Sequence, residues 1–117
     1  MDKGGKCMTT SELKQLRHLK REIAMCDKEI TQLRELECDL TETKELISLK
    51  TERMRFCIEQ LTNLERFISS IPDSYLRQMF ELKYADGLSW TQTAHRLGCT
   101  GDSVRMACSN YLKTQNS

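Results

Sequence analysis

Between Thr100 and Lys113 the chain runs TGDSVRMACSNYLK. On a helix, residues three and four apart share a face. Thr100, Gly101, Asp102, Ser103, Arg105, Met106 and Ser109 then fall on or beside the face opposite Val104, Ala107 and Cys108. The chemistry such a face offers is recognition of base edges. A guanidinium at Arg105 can make paired hydrogen bonds to guanine O6 and N7, and a carboxylate at Asp102 can accept from cytosine N4. Ser103 and Ser109 have hydroxyls for bases or phosphate, while Arg96 and Lys113 bring charge from just outside the cluster.

A face of this kind has to be held out from a core, and the residues before it have the spacing to do so. Within LSWTQTAHRLGCTGDSVRMACSNY, Ala94, Gly98 and Val104 stand four and then six residues apart. A small residue where two helices cross, a glycine in the turn and a β-branched plug on the second helix make a helix-turn-helix. Ser89 with Gln92 reads as a capping box for the first helix, and Thr100 as the N-cap of the second. In such units the second helix is the one offered to the major groove.

Upstream, Pro72 suits the first turn of another helix. On it Leu76, Met79, Phe80, Lys83 and Tyr84 share a face, until Asp86-Gly87 ends it with a left-handed cap. From Lys6 to Ile71 there is neither glycine nor proline. There, Leu16, Leu19, Ile23, Cys26, Ile30 and Leu33 alternate steps of three and four. Ile47, Met54, Cys57, Leu61, Leu64, Ile68 and Ile71 form a second seam. Thr9 or Ser11 can cap the first helix; Asp39 with Glu42 is a capping-box candidate for the second. Two helices over 11–38 and 42–69 follow. They either fold back as a hairpin with Cys26 near Cys57, or pair with another chain.

The expected class is all-α: a flexible start over 1–10, coiled-coil helices over 11–71, and a three-helix unit over 72–117 with a fraying end. The 117 residues carry 30% charged residues and a formal net charge of +1. That balance argues against binding nucleic acid through bulk charge and places any such binding in a local cluster. Past Pro72 the other basic residues are Arg77, Lys83, Arg96 and Lys113, nearly cancelled by Asp73, Glu81, Asp86 and Asp102.

The opening MDKGGKCMTT has no apolar core of a secretory leader, and no apolar run reaches the ~20 residues of a membrane span. The six cysteines form no CxxC pair and no zinc-spaced cluster with histidine. A cytoplasmic, reduced protein with no cofactor is expected, its thiols acting as small hydrophobes; a zinc site drawn from distant thiols is the alternative. No Gly-rich phosphate loop, nucleophile–histidine–acid set or metal spacing points to an enzyme. Trp90 and Phe80 read as core, and His18 and His95 as solvated. Lys20-Arg21 and Arg53-Arg55, interleaved with glutamates, read as solvated helix faces.

The run LRQMFELKYADGLSWTQTAHRLGCTGDSVRMACSNYL resembles region 4 of bacterial sigma-70-type factors. It is closest to the form found in small prophage proteins of Gram-positive bacteria, which also carry an N-terminal coiled coil like LKQLRHLKREIAMCDKEITQLRELE. The resemblance implies a DNA-binding transcription regulator able to touch RNA polymerase. Two residues depart from the pattern. Thr93 stands where an aliphatic residue usually precedes the small Ala94. Asp102 places a negative charge in the first turn of the second helix, which suits the helix dipole but repels phosphate.

The expected function is therefore a phage or prophage regulator that binds duplex DNA as a homodimer, with paired half-sites ~34 Å apart. The competing expectation is a mobile-element protein that binds and inhibits, or redirects, a host protein such as a polymerase or defence nuclease. A purely structural coiled coil is a further alternative.

Overall fold

In the computed structural model, which describes residues 8–37 and 39–115, the chain is all-helical. Gly4, Gly5, Cys7 and Cys38 lie outside the described residues. The helices are α1 (Thr10–Glu35), α2 (Thr41–Ser69), α3 (Ser74–Phe80), α4 (Trp90–Leu97) and α5 (Gly101–Gln115). A π-helical turn over Glu81–Ala85 extends α3.

Local chemistry explains most helix ends. Thr9 and Glu12 form a reciprocal capping box at the start of α1: the Glu12 amide donates to Thr9 Oγ1 at 3.1 Å, and the Thr9 amide to Glu12 Oε1 at 3.2 Å. The amides of Thr43 and Lys44 close on the Leu40 carbonyl. Leu40 is thus the N-cap of α2, one residue beyond the Asp39 expected there. Asp73 caps α3 by accepting from the Tyr75 amide at 3.0 Å, so Pro72 precedes that helix instead of opening it. Gly87, at φ +75°, follows the π turn, and the Leu88 amide reaches back to the Leu82 carbonyl. These contacts satisfy carbonyls that the end of a helix would otherwise leave open.

Packing divides the chain into two compact units whose limits fall inside α1 and α2. Among the described residues, one combines those up to Arg17 with those from Leu64 onward, and the other lies within His18–Asn63. In the His18–Asn63 unit, α1 and α2 run antiparallel. Glu29 pairs with Lys50 at 3.2 Å and Glu22 with Arg53 at 3.8 Å, so rising numbers on one helix meet falling numbers on the other. Cys26, Ile30 and Cys57 are buried along the seam, with Ile23, Leu33, Met54 and Leu61 half-buried. The hairpin alternative is the one this unit adopts.

The other unit is built around Phe80, which has no exposed surface. The Phe80 ring lies 6.1 Å from that of Phe67 and 5.8 Å from those of Tyr84 and Tyr111, and Tyr84 stands edge-on to Trp90 at 6.3 Å. Offset and edge-to-face contacts of this kind add to what burial alone contributes. Leu13, Leu16, Leu64, Ile68 and Ile71 at the ends of the long helices are buried as well. Leu13 lies one step before the predicted seam of α1. Its burial follows from the same alternation carried one turn further back.

Candidate nucleic-acid interface

α4, the turn Gly98–Thr100 and α5 present the residues singled out from sequence. Ser89 and Gln92 complete the expected capping box: the Gln92 amide donates to Ser89 Oγ at 3.1 Å and the Ser89 amide to Gln92 Oε1 at 2.9 Å. Gly98 ends α4 at φ +72°, in the left-handed region, with its amide on the Ala94 carbonyl. Ala94 and Val104 are both buried, as the small residue and the plug should be. Thr100 Oγ1 accepts from the Ser103 amide at 3.1 Å, which caps α5.

Burial on α5 follows Val104, Cys108 and Leu112. Ala107, expected with them, is only half-buried, and Leu112, one turn past Cys108, completes the stripe instead. Two strips flank the outer surface. Asp102, Met106 and Lys113 lie along one, all exposed, with Arg105 and half-buried Ser109 beside them. Ser103, Asn110 and Thr114 lie along the other. The cluster read from sequence is therefore split: Ser103 and Ser109 face different ways.

Some of the predicted residues are tied up locally. Arg105 Nη2 donates to Asp102 Oδ1 at 3.3 Å, so the arginine is held by the carboxylate one turn before it. The Thr100 hydroxyl serves the cap. Gly101 is half-buried, and a Cβ there would sit 3.6 Å from the Thr91 amide nitrogen and the Trp90 carbonyl carbon, which places it against the start of α4 rather than on an open face. Arg96 is exposed on α4 and, with His95, Thr91, Gln92 and Leu88, lines a shallow cleft of about 390 Å³.

Two of the other basic residues have structural work. Arg77 Nη1 donates to the Ile71 carbonyl at 2.7 Å, closing the end of α2. The Lys83 ammonium sits 4.7 Å above the Trp90 ring, a cation–π contact. On the helical hairpin, Arg53 and Arg55 face Glu22 and Glu52. Positive charge near α5 is therefore thinner than the residue count implies.

Asn110 was missed in the sequence reading. It stands seven residues after Ser103 on an exposed strip, and its amide has the two-pronged geometry that pairs with adenine N6 and N7. Its signal was present in that seven-residue spacing. The same strip lines a cleft of about 490 Å³ between α3 and α5, with Tyr75, Leu76, Met79, Cys99 and Tyr111 among its walls. The Tyr75 hydroxyl donates to the Leu97 carbonyl at 3.1 Å. A hydrogen bond with the Cys99 thiol, then burial, raises its pKa above the usual phenol range.

The thiols of Cys57 and Cys108 are held protonated. Burial pushes Cys108 up to about 12, and the Lys83 charge opposes this only in part. Burial, then the charge of Glu22, raises Cys57 above its ordinary value. A thiolate is the reactive and metal-binding form, so these two cysteines serve as small core residues. Among the described residues, no three of His, Cys, Asp and Glu gather as metal ligands, and no helix is long and apolar enough to cross a membrane.

No protein-family model, curated protein or solved structure matches this chain.

Proposed function

We propose that this chain is a sequence-reading, duplex-DNA-binding regulator of a phage or prophage, with α5 as the helix that enters the major groove. The observation that carries this reading is the outer surface of α5. Asp102, Ser103, Arg105, Met106 and Asn110 are exposed there, on a helix whose start is capped by Thr100 and which follows a left-handed turn at Gly98. A polar exposed face on a buried-backed helix, reached through a tight turn, is the arrangement that base readout requires. Met106, half exposed in the middle of that face, is suited to contact with a thymine methyl.

Selection from random duplex DNA with the full-length protein tests the proposal, and an enriched site is the expected result. With two to four phosphate contacts per protomer, log K should fall against log salt with a slope of about two to four. A slope near ten would mean that basic residues of the hairpin also contact DNA.

A second reading draws support from the engagement of Arg77, Lys83 and Arg105 within the protein and from the α3–α5 cleft. In it the same scaffold binds a host protein and inhibits or redirects it. Failure to enrich any site, together with a stoichiometric complex with a purified host protein, would select that reading.

A further inference from the structure

The two long helices carry a second periodic stripe that their mutual seam does not use. On α1 it runs His18, Glu22, Met25, Glu29 and Gln32, with Leu36 in the turn just past it; on α2 it runs Leu46, Leu49, Arg53, Phe56 and Gln60. Steps of three and four alternate along both, which is the spacing of a coiled-coil contact. The two stripes occupy one broad face of the hairpin. The Glu29–Lys50 and Glu22–Arg53 pairs bridge them, and Glu29, Gln32, Leu36, Leu46 and Lys50 share one groove of about 320 Å³.

Five of these eleven residues are large apolar side chains left in solvent. Met25 is 57% exposed, Leu36 67%, Leu46 41%, Leu49 64% and Phe56 61%. At ~200 Å² for a large side chain fully extended, these five leave roughly 600 Å² of apolar surface in view, the upper end of what a monomer shows. Once the polar side chains between them are added, the face approaches the ~800 Å² that each partner contributes to a standard interface.

We infer that this face is the contact between two copies of the chain, packed hairpin on hairpin as a four-helix bundle about a two-fold axis. The charges argue for a second copy over any other occupant. The α1 stripe carries Glu22 and Glu29, while Arg53 lies on the α2 stripe and Lys50 at its edge. A two-fold axis along the helices lays α1 of each copy over α2 of the other in the register already set within the chain. Carboxylates of one copy, each already paired within its own chain, then lie beside the cations of its partner, and Met25 comes to the level of Phe56. A face that complements itself in this way is what an isologous dimer requires.

The test is the mass of the full-length chain in solution, by light scattering and sedimentation equilibrium. The parent should be a dimer at tens of micromolar. Leu49→Glu with Phe56→Glu should give a monomer of unchanged helicity, and the milder Leu49→Ala with Phe56→Ala should raise the dissociation constant by about 100-fold or more. Ile58→Glu, on the opposite flank of α2, should remain dimeric. A parent monomeric to ~100 µM overturns the inference, whatever else binds the face. So does a folded glutamate variant that stays dimeric, or a folded Ile58→Glu chain that dissociates to the same extent. None of these readouts involves DNA, so the dimer and the nucleic-acid reading stand or fall separately.

Discussion

Arg105 reaches back one turn to Asp102, its Nη2 lying 3.3 Å from Oδ1. Both side chains are well exposed, so the pair is weak and easily exchanged for another partner. If α5 reads DNA, the carboxylate restrains the arginine and repels the backbone it approaches. Asp102→Asn should therefore tighten binding to nonspecific duplex, and Arg105→Ala should cost ~1–3 kcal/mol at the preferred site and relax selectivity at one base pair. Titration of selected and scrambled duplexes measures both. An Arg105→Ala chain that discriminates as the parent does would remove α5 from the recognition role.

Thr93 is fully buried on α4, and its hydroxyl has no hydrogen-bond partner. Such a group carries its desolvation cost without return. Thr93→Val keeps the branched shape and removes the hydroxyl, so it should stabilise the protein by ~1 kcal/mol in urea unfolding. A loss of stability would show that the hydroxyl is satisfied in solution.

Gly98 occupies left-handed backbone at φ +72° with open space where a Cβ would project. The penalty for a side chain there is conformational and not steric. Gly98→Ala should cost ~1–2 kcal/mol and Gly98→Asn clearly less, because asparagine tolerates this region. Equal costs for the two would contradict that account. At Gly87 a Cβ would also run into the Arg17 side chain, so Gly87→Ala requires the arginine to move as well.

The raised thiol of Cys108 sets a pH dependence with a definite sign. Its folded value is about 12 against an ordinary 9.0. Below pH 9 both states hold the proton and stability does not depend on this group. Between pH 9 and 12 the unfolded chain loses the proton first, so stability falls by up to ~1.4 kcal/mol per pH unit. In denaturant titrations from pH 8 to 11, the margin by which the parent exceeds Cys108→Ala should shrink as pH rises. A constant margin would mean that the thiol titrates normally.

Much of the architecture around α4 and α5 was readable because it depends on residues adjacent in the chain. The Ser89–Gln92 box, the Gly98 turn and the Thr100 cap are contacts over three or four positions, and residue type alone selects them. The helix starts at Leu40 and Asp73, and the π turn at Glu81–Ala85, were not readable in the same way. Asp39 and Pro72 are both acceptable at their neighbours' positions. A π turn conserves the hydrophobic pattern while adding a residue to one turn, and periodicity hardly registers that.

The face proposed to meet DNA shows the same division. Sequence alone placed Thr100, Asp102, Ser103, Arg105, Met106 and Ser109 on one helix, because helical spacing is a property of the chain. Tertiary packing decided which of them are available. It turned Ser109 and Gly101 partly inward and brought Asn110 into the exposed strip. It also drew Arg77 to a carbonyl and Lys83 onto an indole. The heptads likewise required that α1 and α2 find partners, but both a hairpin and a pair of chains satisfy a heptad. The choice of hairpin came from the antiparallel contacts, Glu29 with Lys50 and Glu22 with Arg53. Local propensity and period are written residue by residue. Which cation is spent on which partner depends on distances between positions far apart in the chain, and only the folded protein sets those.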